Sequence, residues 1–496
     1  MNGVNAERAR NMHDAVREDN GIGVIYGNVG TTYFDCSIVG SVEKNDYIQV
    51  WHDKHGWVLG QVVDLQRRTT LGTEDAKAIF MGEDVSYDEI LIGRVMVIGY
   101  RDKKGLLRPP TTPFRAGEKV YRAEEDTIRR VLGLKAEKSL GAYIGKLYGH
   151  NIDVYLDING LVQKHVSILA KTGGGKSYVA GVLIEELIKH DVTTVIIDPH
   201  GEYPSLKRRG KEPTDKRFGI VPRSYASKII EFSPDTTINK DAKPLRFTLA
   251  NITPRELLSL TNLKSGRTYL TYLRRALDYL RETKSNYTLS DVIAVLESEE
   301  NPPVTLISEL EYLREINLFA PQGTRINDLV VEGKTTIINL RGTPPDVQEL
   351  VVSRVATALF ELRKINKIPP LMMVVEEAHN YCPQQGVVAS SKILRTIASE
   401  GRKFGFGLMI ITQRPAKVDK NVLSQCNTQI ILKVTNPHDL RAIISSVEGL
   451  TTQTADEIQR LPLGVAIVTS PNLSMPLFVE IRPRETMHGG ESVRVV

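Results

Sequence analysis

Residues 170–177 read AKTGGGKS, and their setting constrains the fold more than any other stretch of the chain. An apolar run, His165-Val166-Ser167-Ile168-Leu169-Ala170, leads into them. An amphipathic run follows, with Val179, Val182, Leu183 and Leu187 on one helical face. Strand, glycine loop and helix in that order are the context of a phosphate-binding loop. Gly173, Gly174 and Gly175 let backbone N–H groups converge without Cβ clashes. The start of the helix adds its dipole and unpaired N–H groups. The expected phosphate ligands are Thr172, Gly173, Gly174, Gly175, Lys176, Ser177 and Tyr178. Lys176 reaches the β- and γ-phosphates, and the Ser177 hydroxyl ligates Mg²⁺. The expected substrate is ATP. Ala170 departs from the usual first glycine, a place where a small residue should fit.

The chain has 496 residues, room for about three domains, and 41% are apolar, enough for packed cores. Its net charge of +5 is only a weak pointer to anionic partners. Cys36, Cys382 and Cys426 are far apart and form no CxxC pair. A disulfide framework or zinc site is therefore not expected, and a reducing cytoplasm is. No uninterrupted apolar window reaches a membrane-span length, and the first residues are polar. Neither signal peptide nor membrane contact is expected.

The texture of the sequence divides it into segments. Residues 1–20 read as a short polar helix. Residues 21–135 carry short β-type runs cut by turns, which suggests a small antiparallel barrel. Trp51 and Trp57 read as core or hairpin residues there. From residue 136 strands alternate with helices, the mark of an α/β domain with a mostly parallel sheet. Strands are expected at 165–170, 193–198, 335–340, 371–375, 406–412, 428–434, 463–469 and 476–482. The interval 253–330 interrupts the rhythm as a helical insertion, so the core comprises 136–252 and 331–482. The tail, 483–496, is expected to be extended and to pack on a neighbouring subunit.

Leu371-Met372-Met373-Val374-Val375 is an apolar strand ending in Glu376 and Glu377. A buried parallel strand delivers such residues to the ligand edge of its sheet. Glu376 is expected to hold Mg²⁺ through water, and Glu377 to polarise the attacking water. Asp198 and Glu202 end the strand that follows the phosphate-loop helix. That strand is expected beside the phosphate-loop strand, which would bring both acids to the γ-phosphate side. The plainer reading of Asp198 is a turn initiator, and His200 reads as structural. Gln413 ends another strand as a polar γ-phosphate sensor. Arg402 lies in a helix-to-strand turn, where an arginine could serve a neighbouring subunit's nucleotide. Its alternative role is to bond the last helical carbonyls. Arg414 is the second finger candidate.

Together the phosphate loop, the Glu376-Glu377-Ala378-His379-Asn380 strand end, the GRKFG turn and ITQRP resemble the HerA family of the HerA/FtsK ring translocases. The order and spacing agree from about residue 140 to 482. The N-terminal β region, with GNVGTTYFDC and GWVLGQVVDL, is similar to that family's small barrel. The resemblance implies a RecA-like core in a homo-hexamer, with nucleotide between subunits and duplex DNA in the pore. It further implies DNA end resection and double-strand-break repair with a NurA-type nuclease, in an archaeal-type system. Arg402 then becomes the finger in trans.

Residues 207–223 are rich in positive charge. Lys207, Arg208, Arg209, Lys211, Lys216, Arg217 and Arg223 face only Glu212 and Asp215. Such a loop could track a phosphate backbone without reading sequence, or it could simply be solvated. A second basic stretch, Lys264 to Arg267 with Arg274 and Arg275, carries the same two readings. The rival function is a protein-moving ATPase of secretion or conjugation systems, which share this core. A rotary-type ATPase subunit fits less well, because of the helical insertion and the ITQRP strand end.

Overall fold

The computed structural model describes residues 21–134, 141–261, 263, 267–447 and 449–490. The helix expected at 1–20 and the tail beyond residue 490 lie outside them. The chain divides into two units, Met1–Lys135 and Ala136–Val496.

The first unit builds its barrel from strands whose apolar residues alternate with polar ones. They are β1 (Gly21–Val29), β2 (Tyr33–Ile38), β3 (Tyr47–His52), β4 (Gly56–Thr69), β5 (Glu89–Arg101), β6 (Leu107–Arg108) and β7 (Lys119–Arg122). The order is β2-β1-β7-β3-β4-β5-β6, and pairing of β2 with β5 closes the barrel. Closure removes the exposed strand edges. Inside lie Ile25, Phe34, Ile48, Val50, Val58, Val62, Val95 and Val120. Trp51 and Trp57 are cross-strand partners in the β3–β4 hairpin, their rings edge to face at 5.3 Å. A helix over Thr73–Phe80, between β4 and β5, was not legible in the sequence; it buries none of its residues.

The second unit is one sheet, ordered β13-β12-β14-β11-β15-β16-β10-β17-β18-β19-β8-β9. Its strands are β8 (Gly141–Leu147), β9 (Asp153–Asp157), β10 (Val166–Leu169), β11 (Thr194–Asp198), β12 (Ile229–Ser233), β13 (Lys243–Pro244), β14 (Thr335–Asn339), β15 (Leu371–Val375), β16 (Phe406–Thr412), β17 (Thr428–Ile431), β18 (Val465–Thr469) and β19 (Leu477–Ile481). All eight expected strands form. From β13 to β17 the pairing is parallel. The central strands are buried throughout, as a sheet covered on both faces requires.

The sheet is mostly parallel, as expected, and its layout departs from simple strand–helix alternation in two places. From β17 to β9 the sheet turns antiparallel. Short connections between 463–469 and 476–482 permit only a hairpin, since a parallel return needs a crossover. At this flank Gly145, at φ +149°, lies so close to β19 that a Cβ would fall 1.9 Å from the Glu480 carbonyl oxygen. The second departure corrects an expectation: β11 does not neighbour β10. β15 and β16 lie between them, so Asp198 and Glu202 reach the site from two strands away.

The insertion is helical, at Pro254–Ser259, Arg267–Thr283, Leu289–Glu297, Val304–Glu315 and Ile326–Leu329. It is not a separate lobe. Leu273, Leu277, Val292, Leu306 and Leu310 join one apolar cluster with Val195, Ile338 and Val375 of the sheet.

His165 enters β10 at φ +54° and is buried. Its Nδ1 accepts from Leu408 N–H at 2.9 Å, so Nε2 must carry the proton it donates to the Ala398 carbonyl at 3.1 Å. Burial lowers its pKa to about 4. The unfolded chain binds the proton near pH 6.5 and the folded chain does not until about pH 4. Stability is therefore fully present above pH 6.5 and falls as pH drops through that window, by about 3 kcal/mol at most. A denaturant titration series from pH 7 to 4 should show this loss, and His165→Gln should flatten it.

Candidate nucleotide site and its acidic pair

The loop after β10 folds as its glycines require. Gly173 and Gly175 sit at φ +71° and +90°, and Gly175 begins the helix α1, Lys176–Lys189. A Cβ on Gly174 would lie 2.9 Å from the Lys171 carbonyl oxygen and 3.2 Å from the Ala170 methyl. The buried Ala170 methyl thus fits under the loop only because residue 174 has no side chain. Lys171 N–H bonds the Lys433 carbonyl and Ala170 N–H that of Thr412, which fixes the loop at the C-terminal edge of the sheet.

β15 ends on the same edge and brings in the acids. Lys176 Nζ lies 2.5 Å from Glu376 Oε1 and 2.9 Å from Glu377 Oε1. Burial works against its charge, but Glu376 and Glu377 outweigh it and raise the lysine pKa. Glu376 is fully buried and its Oε2 accepts from the Tyr203 hydroxyl. Glu377 departs from ordinary backbone, at φ +50° and ψ 45°. Its Oε2 is buried and accepts no hydrogen bond, with His379 Nδ1 3.3 Å away. His379 Nδ1 also lies 3.1 Å from Thr412 Oγ1. Burial, followed by the charges of Arg414, Lys417 and Lys176, holds the His379 pKa low against the pull of Glu377.

The remaining expected residues are less alike in placement. Gln413 meets the phosphate loop directly, its Oε1 accepting from the Thr172 hydroxyl. Ser177 is half-buried, and among the described residues its hydroxyl has no partner. The Asp198 carboxylate accepts from the backbone N–H groups of Gly201, Glu202 and Tyr203 at 2.8–3.1 Å, which makes it the organiser of its own turn. Burial pushes its pKa up to about 7 against those donors, and Glu376 and Glu202 add to the rise. Glu202 Oε2 is buried and has no partner among the described residues. Arg402 is exposed in the last turn of the helix Ser391–Phe404, before the first residue of β16. Seven residues of strand, roughly 20 Å, separate that end from its own phosphate loop. Arg414, at the other end of β16, is exposed on the loop's own edge.

Sequence reasoning missed Tyr203, His379 and Thr412 as parts of this site. Tyr203 stands 173 residues from Glu376, and no local pattern marks it. It also expected the tail on a neighbouring subunit. Within the described residues the segment after β19 packs on its own unit, against α1. Arg484 N–H bonds the Tyr178 hydroxyl at 2.9 Å, and the His488 ring meets the Tyr178 ring edge to face at 5.4 Å. Glu185 accepts from Glu485 N–H, Thr486 N–H and the Thr486 hydroxyl.

The basic loop is partly neutralised. Lys207 pairs with Glu231 at 2.5 Å, Arg209 with Glu212 at 3.0 Å, and Arg217 with Asp215 and Glu480 at 2.6 and 3.2 Å. The tail also ties it down, through Gly210 and Arg223 N–H to the Glu485 carbonyl. Arg208, Lys211 and Lys216 remain exposed. In the second basic stretch Arg275 pairs with Glu299 and covers the Tyr272 ring. Lys264, Ser265 and Gly266 lie outside the described residues.

Residues 142–359 match the family described as helicase HerA, central domain. That segment is similar to a HerA central domain. The chain is 29% identical to a probable helicase of Methanocaldococcus jannaschii, over 91% of this chain and 88% of that one. It is 28% identical to the DNA double-strand break repair helicase HerA of Pyrococcus furiosus, over 94% and 93%. Among solved structures, VirB4 of Thermoanaerobacter pseudethanolicus is similar over 70% of this chain and 97% of that one, at 17% identity and a TM-score of 0.49. The chain is an ATP-hydrolysing enzyme of the helicase and translocase class. No helix among the described residues is long and apolar enough to cross a membrane.

Proposed function

We propose that this HerA-type ATPase is a homo-hexameric motor that moves duplex DNA, and that it serves double-strand-break repair by supporting end resection with a nuclease of the NurA type. The names of its relatives support the repair role. The observation that carries the ATPase chemistry is the convergence of Lys176, Glu376, Glu377 and Gln413 on one sheet edge around a glycine cradle.

ATP phosphates would sit against the N–H groups of Thr172 to Tyr178. Their charge would draw Lys176 away from the two carboxylates, which leaves Glu377 to accept a proton from water. Ser177, with an unpartnered hydroxyl, and buried Glu376 fit a Mg²⁺ ion, directly and through water. Such an ion supplies charge neutralisation at the phosphates. Asp198 and Glu202 support this edge from the side, Asp198 through its turn. Arg402 is too far from its own loop and exposed, which suits a finger for an adjacent subunit's nucleotide. Arg208, Lys211 and Lys216 are the loop cations best placed for phosphate contacts.

Linear duplex DNA should raise ATP turnover at low salt, and the stimulation should fade as salt increases. Lys176→Ala and Arg402→Ala subunits, each inactive alone, should regain turnover when mixed, since mixed interfaces include some with both groups intact. No stimulation by DNA would leave the rival protein-moving reading in front. Absence of complementation at every ratio would remove Arg402 from the shared site.

A further inference from the structure

The strained acid, the histidine beside it and the sensor strand end form one connected chain. Gln413 touches the phosphate loop through Thr172. The next residue, Arg414, gives its N–H to Thr412 Oγ1 at 3.0 Å. Thr412 Oγ1 lies 3.1 Å from His379 Nδ1, and that nitrogen lies 3.3 Å from the orphaned Glu377 Oε2. We propose that His379 is a positioning residue that passes the state of the Thr412-Gln413-Arg414 corner to Glu377. The inference rests on the reading of Glu377 as the base for ATP hydrolysis.

The hydrogen-bonding inventory gives the triad two discrete arrangements. In one, the Thr412 hydroxyl donates to Nδ1. The imidazole then offers Glu377 no proton, and Oε2 is free to accept one from water. In the other, Nδ1 carries the hydrogen and can turn it from Thr412 to Oε2, which ties the carboxylate back and weakens it as a base. Which arrangement holds depends on where Thr412 Oγ1 sits, and Arg414 N–H anchors that oxygen. A γ-phosphate oxygen that takes the Thr172 hydroxyl from Gln413 Oε1 would release Gln413 and shift this corner, and with it the histidine.

The backbone of Glu377 argues for the same role. A non-glycine residue in the left-handed region costs on the order of 1–3 kcal/mol and persists only where its surroundings enforce it. Here the Asn380 N–H to Glu377 carbonyl bond closes the turn at 2.9 Å, and it is this turn that carries His379. Backbone strain and side-chain aim are thus set by one short segment, and a carboxylate displaced by about 1 Å can lose two orders of magnitude in rate.

The test is steady-state ATP hydrolysis by the full chain, as wild type and as His379→Ala, His379→Asn, Thr412→Val and the double variant His379→Ala/Thr412→Val. We expect His379→Ala to lower kcat about 10- to 100-fold with KM changed less than about twofold. His379→Asn, whose amide can turn Oδ1 to accept from Thr412 or its NH2 to donate to Glu377, keeps both arrangements open and should recover most of the loss. Thr412→Val should lower kcat, and the double variant should be no worse than His379→Ala, because both act through one path. Binding of a fluorescent ATP analogue should survive in every variant. If His379→Ala unfolds the site and binding is lost, Thr412→Val and His379→Asn decide alone. An unchanged kcat, an effect confined to KM, failure of Asn to rescue, or losses that multiply in the double variant would overturn the proposal. Wild type that turns over no faster than Glu377→Gln would instead sink the assignment of Glu377 itself.

Discussion

Replacing Glu377 by Gln should lower ATP turnover about 10²- to 10⁴-fold, the range a positioned general base contributes, while nucleotide still binds. The two effects separate because Glu377 has two neighbours of opposite meaning. Toward water it offers Oε2, buried and unbonded. Toward the phosphate loop it holds Lys176 at 2.9 Å. That lysine is paired with both carboxylates, so phosphate must win it from them. Removing one negative charge weakens the competitor without touching the glycine cradle. Affinity for ATP should therefore hold or rise by about two- to fivefold, since a ligand gains whatever the competing state loses. Steady-state rates with a fluorescent-nucleotide titration will read both quantities. A variant that keeps turnover within about threefold of wild type would end the case for Glu377 as the base.

Arg482→Met should destabilise the second unit by about 3–5 kcal/mol, the usual cost of stranding buried partners of a charge. Arg482 is fully buried; Nη1 lies 2.9 Å from Glu185 Oε2 and Nη2 2.7 Å from Glu186 Oε1, and Nε bonds the Tyr143 carbonyl at 2.8 Å. Glu185 and Glu186 are themselves buried on α1, the helix that starts at the phosphate loop. Arg484 approaches Glu185 only to 3.5 Å and cannot take over both acids. Methionine keeps the stem's packing and removes the charge, so the loss isolates the ion pairs. The melting temperature should drop by about 4–7 °C for a unit of this size. Adding Glu185→Gln should restore part of it, because one of the two stranded charges is gone. A loss under about 1 kcal/mol would mean that Lys189, 2.5 Å from Glu186, and water compensate the acids, and that the Arg482 ion pairs do not hold the tail to α1.

The phosphate loop, the two-glutamate strand end and the Gln413 strand end were legible because each is a local pattern. An apolar run followed by a polar residue of defined chemistry needs no partner to be recognised. The helical insertion was legible for the same reason, as a change of period from two to 3.6. What failed was adjacency. Asp198 was expected beside the phosphate-loop strand, yet β15 and β16 intervene, because crossover connections leave strand order open. The antiparallel flank from β17 to β9 was missed too, as strand patterns do not carry direction.

The sequence by itself determined that this chain sets a glycine loop, an acidic pair and a glutamine on α/β strand ends, because glycine conformational freedom and strand periodicity act within a few residues. Only the tertiary structure decided who touches whom. Tyr203 closes on Glu376, His379 lies between Glu377 and Thr412, and Arg482 ties the segment after β19 to the helix that follows the glycine loop. Those contacts span tens to hundreds of residues. They exist only once burial of the sheet has removed water from between polar groups that must then satisfy one another.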